Sequence, residues 1–116
     1  MAIEKGIFFL QYHALDLLEL DVAKVVVKNR LALKNGVSYP CLFDITQVKQ
    51  STKEARDYMA IEGNELVLAS AILVTSPMLK MMANFFIMVN KPTNPTRMFT
   101  DLESALDWLA QFKPAA

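Results

Sequence analysis

The sequence is poor in cysteine and in net charge, and each shortage excludes a class of protein. Its 116 residues include one cysteine, Cys41, so no disulfide can form within the chain, and a reducing compartment is expected. Twelve basic residues balance twelve acidic ones, so no overall field favours nucleic acid or an anionic membrane surface. The longest apolar run, 66–74, is interrupted by Ser70 and is far shorter than the ~20 residues of a membrane span. We therefore expect a cytoplasmic protein with no transmembrane segment and no nucleic-acid partner.

Apolar residues, in contrast, are abundant. They make up 53% of the chain, which is enough for one core and too much for a disordered protein. The length of 116 residues is that of one domain. Because no linker or internal repeat interrupts the chain, we expect a single domain over 1–116.

Apolar strand patterns alternate with helical patterns along the chain. Strands are predicted at 7–13, 39–44, 69–74 and 96–99, and helices at 21–33, 52–62, 77–90 and 101–112. This order predicts a layered α/β domain, in which a mostly parallel or mixed sheet of about four or five strands packs on helices.

Three features of the helices lead to specific expectations. Ser51 is followed three residues later by a glutamate, and so is Thr100, so both are predicted to cap the helices that follow them. In the first helix the expected inward stripe is Val22, Val25, Val26, Asn29 and Leu33, whereas Lys24, Lys28 and Arg30 are expected to point elsewhere.

Several segments together resemble those of the STAS and SEC14-like proteins, small bacterial domains related to anti-anti-sigma factors. The segments are 39–45, 53–57, 84–86, 90–101 and 103–109. The resemblance covers most of the chain and implies a STAS-like α/β fold with a non-enzymatic, regulatory or protein-binding role. In the better-known relatives a serine near a helix start is phosphorylated. Ser51 and Thr52 lie near that position here, although the Asp-Ser-Ser-Gly pattern of those relatives is missing.

The helix at 77–90 is apolar almost all round. Between residues 78 and 89 only Lys80 and Asn84 are polar, and four of the chain's seven methionines lie there. Such a helix is either sandwiched between the sheet and a neighbouring helix or docks to something outside the domain. The candidate interaction or regulatory residues are Ser51, Thr52, Met78, Met81, Met82, Asn84 and Phe85.

A second group of residues is a candidate for ligand or anion contact: Asp44, Lys91, Arg97 and Thr100. Asp44 ends a predicted central strand, where ligand sites of α/β sheets occur, but an aspartate there also commonly closes a turn. The two basic residues could equally belong to a solvated, proline-stiffened loop.

Two functions follow from these patterns. The first is a module that binds a protein partner or a second copy of itself. The alternative is a carrier or sensor of a small apolar or lipid-like ligand, which requires an internal cavity of at least ~300 Å³. His13 and Cys41 do not form a convincing catalytic pair, since an apolar setting makes a thiol inert. We expect no enzyme activity, no cofactor and no metal.

Overall fold

A computed structural model describes residues 1–113 of the chain, and a mixed sheet forms its centre. In chain order the elements are β1 (Ala2–Glu4), β2 (Ile7–Gln11), β3 (Leu15–Leu18), α1 (Leu20–Lys34), β4 (Tyr39–Asp44), β5 (Val48–Ser51), α2 (Lys53–Ile61), β6 (Val67–Leu73), α3 (Pro77–Phe85), β7 (Thr96–Phe99) and α4 (Leu102–Ala110). A 3₁₀ turn, Glu62–Asn64, follows α2, and a π-helical turn, Phe86–Asn90, continues α3. The predicted domain extends to residue 116, and its last three residues lie outside the described part.

The main sheet has five strands in the order β1-β2-β4-β6-β7. The strands β2, β4, β6 and β7 are mutually parallel, and only β1 pairs antiparallel at the edge. The predicted fold class, a mostly parallel sheet of four or five strands packed on helices, is therefore confirmed. The short strands β3 and β5 pair parallel in a separate two-stranded sheet that the sequence did not indicate.

The helices cover both faces of the main sheet. Successive residues of a strand point to opposite faces, so Ile7 packs with Leu109 of α4 on one face, while Phe8 packs towards Val26 of α1 on the other. On the second face Ile72 also meets Leu79 of α3. The three crossover helices share this face because β2, β4, β6 and β7 progress in one direction through right-handed connections.

The buried face of helix α1 agrees only in part with the one expected. Its buried residues are Ala23, Val27, Arg30 and Lys34, whereas Val25 is 58% exposed. Leu33 is also exposed, so the predictions for Val25, Leu33 and Arg30 were wrong, but Val22 and Val26 pack against the core as expected. The buried stripe still has helical spacing, but the aliphatic stems of two cationic side chains complete it.

The N-cap of α2 is Thr52 and not Ser51. The Thr52 hydroxyl accepts a hydrogen bond of 3.1 Å from the Ala55 amide. Ser51 is instead the last residue of β5, in register with Leu18 of β3. The prediction was wrong because Ser51 belongs to β5, and the pairing of β5 with β3 is not visible in the local sequence pattern.

The last two helices, α3 and α4, also begin with a side-chain N-cap. Ser76 caps α3, and its hydroxyl accepts a hydrogen bond of 3.1 Å from the Leu79 amide. Helix α4 is capped by Asp101, whose carboxylate accepts from the Ser104 amide at 2.8 Å, so the prediction of Thr100 as the cap was wrong. Within residues 1–113, no helix combines the length and apolarity needed to cross a membrane.

Candidate functional site

A shallow groove of about 340 Å³ runs between α3 and the junction of β5 with α2. Its lining consists of Lys49, Gln50, Ser51, Arg56, Met78, Met81, Met82 and Phe85. Five of the seven predicted interaction residues therefore lie together, although they come from two distant parts of the chain. Of the other two, Thr52 adjoins the groove as the cap of α2, and Asn84 is exposed on α3 outside the lining.

The apolar side chains of α3 are exposed because only a narrow stripe of the helix meets the sheet. Leu79 and Ala83 are the buried residues of α3. Met78 is 62% exposed, Met81 73% and Phe85 49%. The alternative in which this helix is sandwiched inside the domain is therefore wrong, and the helix presents an apolar face to whatever surrounds the protein.

Arg56 of α2 holds the two sides of the groove together. Its Nη1 donates to the Ser51 carbonyl oxygen at 2.6 Å and to the Ser51 hydroxyl at 3.2 Å. Its guanidinium carbon lies 5.2 Å from the centre of the Phe85 ring, a distance typical of a cation–π contact. On the other side of Ser51, the hydroxyl oxygen lies 3.7 Å from the Met82 sulfur.

The charge of Arg56 has no carboxylate partner among the described residues. Its neighbour Asp57 is engaged elsewhere, since it accepts from Lys53 at 2.7 Å and from Asn90 at 2.5 Å. The hydrogen bond from Lys53 is the main reason that the pKa of Asp57 is lowered. Arg56 was not among the candidate residues identified from the sequence. Its position one turn after Thr52 indicates a contact with the start of α2, because helical side chains lie back over the preceding turn.

Beneath α3 lies a separate cavity of about 110 Å³. Ser51, Arg56 and Met82 line both this cavity and the groove, so they form the wall between the two. The cavity is smaller than the ~300 Å³ expected of a lipid carrier.

The second predicted group of ligand residues does not come together. Asp44 Oδ1 accepts from the Thr46 amide at 2.9 Å, so Asp44 closes a turn, as the alternative interpretation held. Lys91 precedes β7 and Thr100 follows it, so a strand of four residues, roughly 13 Å long, lies between them in the chain. The guanidinium carbon of Arg97 lies 5.5 Å from the centre of the Phe99 ring. Among the described residues, no hydrogen bond or ion pair joins any two of these four side chains.

Cys41 and His13 lie in different environments. Cys41 is buried in β4, where its thiol donates to the Tyr39 carbonyl oxygen at 3.3 Å, and burial raises the pKa of the thiol. His13 is exposed beyond the end of β2. Within residues 1–113, no group of three or more metal-binding side chains is assembled.

The described residues form a mixed sheet that carries three helices on one face and one on the other, which is an α/β arrangement. The structure is similar to a crystal structure of an uncharacterized protein from the DUF3478 family, with a SpoIIAA-like fold, from Shewanella loihica PV-4. The two chains are 17% identical and superpose with a TM-score of 0.62 over 93% of this chain and 89% of the other. At this identity the similarity shows the fold alone, and it supports the predicted resemblance at that level.

The chain itself belongs to the family described as Domain of unknown function (DUF7793), whose model matches residues 1–113. A search of curated proteins found no match.

Proposed function

We propose that this protein is a non-enzymatic, cytoplasmic interaction module of STAS-like type, which docks a segment of another protein into the groove between α3 and the β5–α2 junction. The observation that carries the proposal is the exposure of Met78, Met81 and Phe85 side by side along that groove. A few such anchor residues usually contribute most of the binding free energy of an interface. Methionine suits the purpose because its unbranched thioether adapts to the shape of a partner.

The charges along the groove indicate the chemistry of the partner. Lys49 and Arg56 are the ionisable residues that line it, and no carboxylate does. Lys49 pairs with Asp16 at 3.2 Å, whereas Arg56 has no such partner. We therefore expect an apolar segment that carries at least one acidic side chain, as in the recognition of an amphipathic helix by a groove.

A carrier of lipid-like ligands is the weaker proposal. The cavity of about 110 Å³ provides about a third of the volume that such a ligand needs, whereas the exposed face of α3 is of the kind that marks protein interaction sites.

The groove can be tested with a matched pair of substitutions at exposed apolar residues of two different helices. Met81 of α3 is 73% exposed and lines the groove, whereas Val25 of α1 is 58% exposed and does not. Met81→Glu places a charge at the docking site, and Val25→Glu adds the same charge on another helix. Wild type and both variants would serve as baits in lysate of the native cell, with bound proteins quantified by mass spectrometry.

The proposal predicts a bound protein that Met81→Glu loses and Val25→Glu retains. Sedimentation of the three purified proteins over a wide concentration range tests the second possible occupant. A dimer that only Met81→Glu disrupts would replace the foreign partner by a second copy of this chain. If all three proteins remain monomeric and bind the same lysate proteins, the groove is not a docking site.

A further inference from the structure

The cavity beneath α3 has a volume of about 110 Å³ and is partly open to solvent, so a small molecule can enter it. It lies between the sheet and helices α2 and α3, with α1 contributing one wall. Most of its surface is apolar, with contributions from Phe43, Ile72 and Phe86.

The guanidinium of Arg30 lies at this apolar cavity, and no carboxylate of the cavity lining balances its positive charge. The side chain is 4% exposed. Its Nη1 lies 3.5 Å from the Gly63 carbonyl oxygen, its Nη2 donates to the Met59 sulfur at 3.1 Å, and its guanidinium carbon lies 4.8 Å from the centre of the Phe43 ring. Its Nε is buried and has no hydrogen-bond partner among the described residues.

Arg56 adds a second guanidinium to the same cavity. Its Nε is likewise buried without a partner, and no aspartate or glutamate lines the cavity. Tyr12 is another lining residue, but burial raises the pKa of its phenol, so it supplies no negative charge near neutral pH. Desolvation by burial is also the main cause of the lowered pKa of Arg30.

Two partly unsatisfied guanidinium groups in an apolar cavity are costly, because a buried charge stabilises a fold only when it is paired and hydrogen-bonded. The missing component is an anion. The fork of donors on a guanidinium matches the two oxygens of a carboxylate, and the apolar walls match a short hydrocarbon body.

We propose that the cavity binds a small organic monocarboxylate, with its carboxylate against Arg30 and Arg56 and its apolar part among Phe43, Ile72 and Phe86. A cavity of 150 Å³ is known to hold benzene, which has six non-hydrogen atoms, so this smaller and partly open cavity of about 110 Å³ fits a ligand of roughly four to six non-hydrogen atoms. The proposal concerns the cavity alone and stands whether or not the groove has a protein partner.

Titrations followed by ¹H–¹⁵N NMR at constant ionic strength test the site. The probes are sodium butyrate, its neutral isostere butyramide, and inorganic phosphate, which has the charge without the apolar body. The proposal predicts saturable shifts of cavity-lining amides with butyrate, and weak or no shifts with the other two. The absence of saturable binding of butyrate overturns the proposal. Equal binding of butyramide shows a cavity without charge recognition, and equal binding of phosphate shows a general anion site; both overturn it.

Substitutions test whether Arg30 forms part of the site. Arg30→Met keeps much of the volume and removes the charge, and it should weaken butyrate binding roughly tenfold or more. Arg97→Met makes the same change at an exposed arginine that does not line the cavity, and binding should be unchanged. Ala83→Leu retains both arginines and fills the cavity, so it should abolish binding even if Arg30→Met fails to fold. Unchanged affinity in Ala83→Leu or in a folded Arg30→Met would falsify the proposal.

Discussion

The guanidinium of Arg56 lies over the ring of Phe85, with 5.2 Å between its central carbon and the ring centre. This contact joins α2 to α3 across the groove. Because the same guanidinium also donates to the Ser51 carbonyl oxygen at 2.6 Å, one side chain connects both helices with the end of β5. The shape of the groove therefore depends on Arg56, a charged residue of α2 that is not part of the apolar face of α3.

Replacing Arg56 should therefore destabilise the protein. Arg56→Met loses two hydrogen bonds and a cation–π contact, and we expect the free energy of unfolding to fall by about 1 kcal/mol. Urea denaturation followed by circular dichroism measures the change. Arg97→Met is the control, since Arg97 makes a ring contact but is exposed, and its effect should be smaller. A variant at position 56 as stable as wild type would show that Arg56 does not hold the groove together.

The two hydroxyl residues at the start of α2 should differ in their contribution to stability. Thr52→Ala removes the side chain that accepts from the Ala55 amide, and loss of an N-cap costs about 1 kcal/mol. Ser51→Ala should cost clearly less, because Ser51 is not the cap. The same urea measurements decide the order, and a larger loss for Ser51→Ala would contradict the assignment of Thr52 as the cap.

Cys41 should make stability fall at alkaline pH. Burial raises the pKa of its thiol above the ordinary value of 9.0, and the nearby charge of Lys34 opposes the rise. Between the unfolded and folded pKa values the folded state keeps the proton and the unfolded state loses it. The stability due to this thiol is therefore complete below about pH 9 and is lost as the pH rises towards the folded pKa.

The comparison that isolates the thiol is wild type against Cys41→Ala. The variant is less stable overall because of the cavity it creates, but its stability should fall less between pH 8 and pH 10 in urea titrations. Tyr12 also titrates with a shifted pKa, but it is present in both proteins and its contribution largely cancels. The pKa of Lys34 is coupled to Cys41, so the difference between the two profiles reports the Cys41–Lys34 pair. Parallel pH profiles for the two proteins would contradict a raised pKa for Cys41.

The two buried cations of α1 should respond in opposite ways to the same substitution. Arg30→Met removes a charge with poor compensation, and we expect unchanged stability or a gain of about 1 kcal/mol. Lys34 donates to the Leu66 carbonyl oxygen at 3.0 Å, so Lys34→Met leaves that acceptor unpaired and should cost about 1 kcal/mol.

Thermal unfolding of the two α1 variants beside wild type shows the difference. If Arg30→Met unfolds at a much lower temperature than Lys34→Met, Arg30 is required for the fold, and its retention needs no ligand to explain it.

The sequence was sufficient for the parts of the fold that depend on neighbouring residues. The run at 39–44 is mostly apolar and contains the aromatic residues Tyr39 and Phe43, which favour β4, and Ser76 with Pro77 specifies the start of α3. These patterns act over a few residues, so composition and spacing reveal them without a structure. The apolar excess of 77–90 was visible for the same reason.

Only the tertiary structure decided which distant residues meet. The pairing of β3 with β5 joins two strands of four residues whose own patterns are too weak to predict, and that pairing moved the cap from Ser51 to Thr52. Arg30 and Arg56 approach one cavity from different helices, and Ser51 meets Met82 across 31 residues. Local patterns in a chain determine helices and strands, whereas charge burial, grooves and cavities result from the packing of those elements against one another.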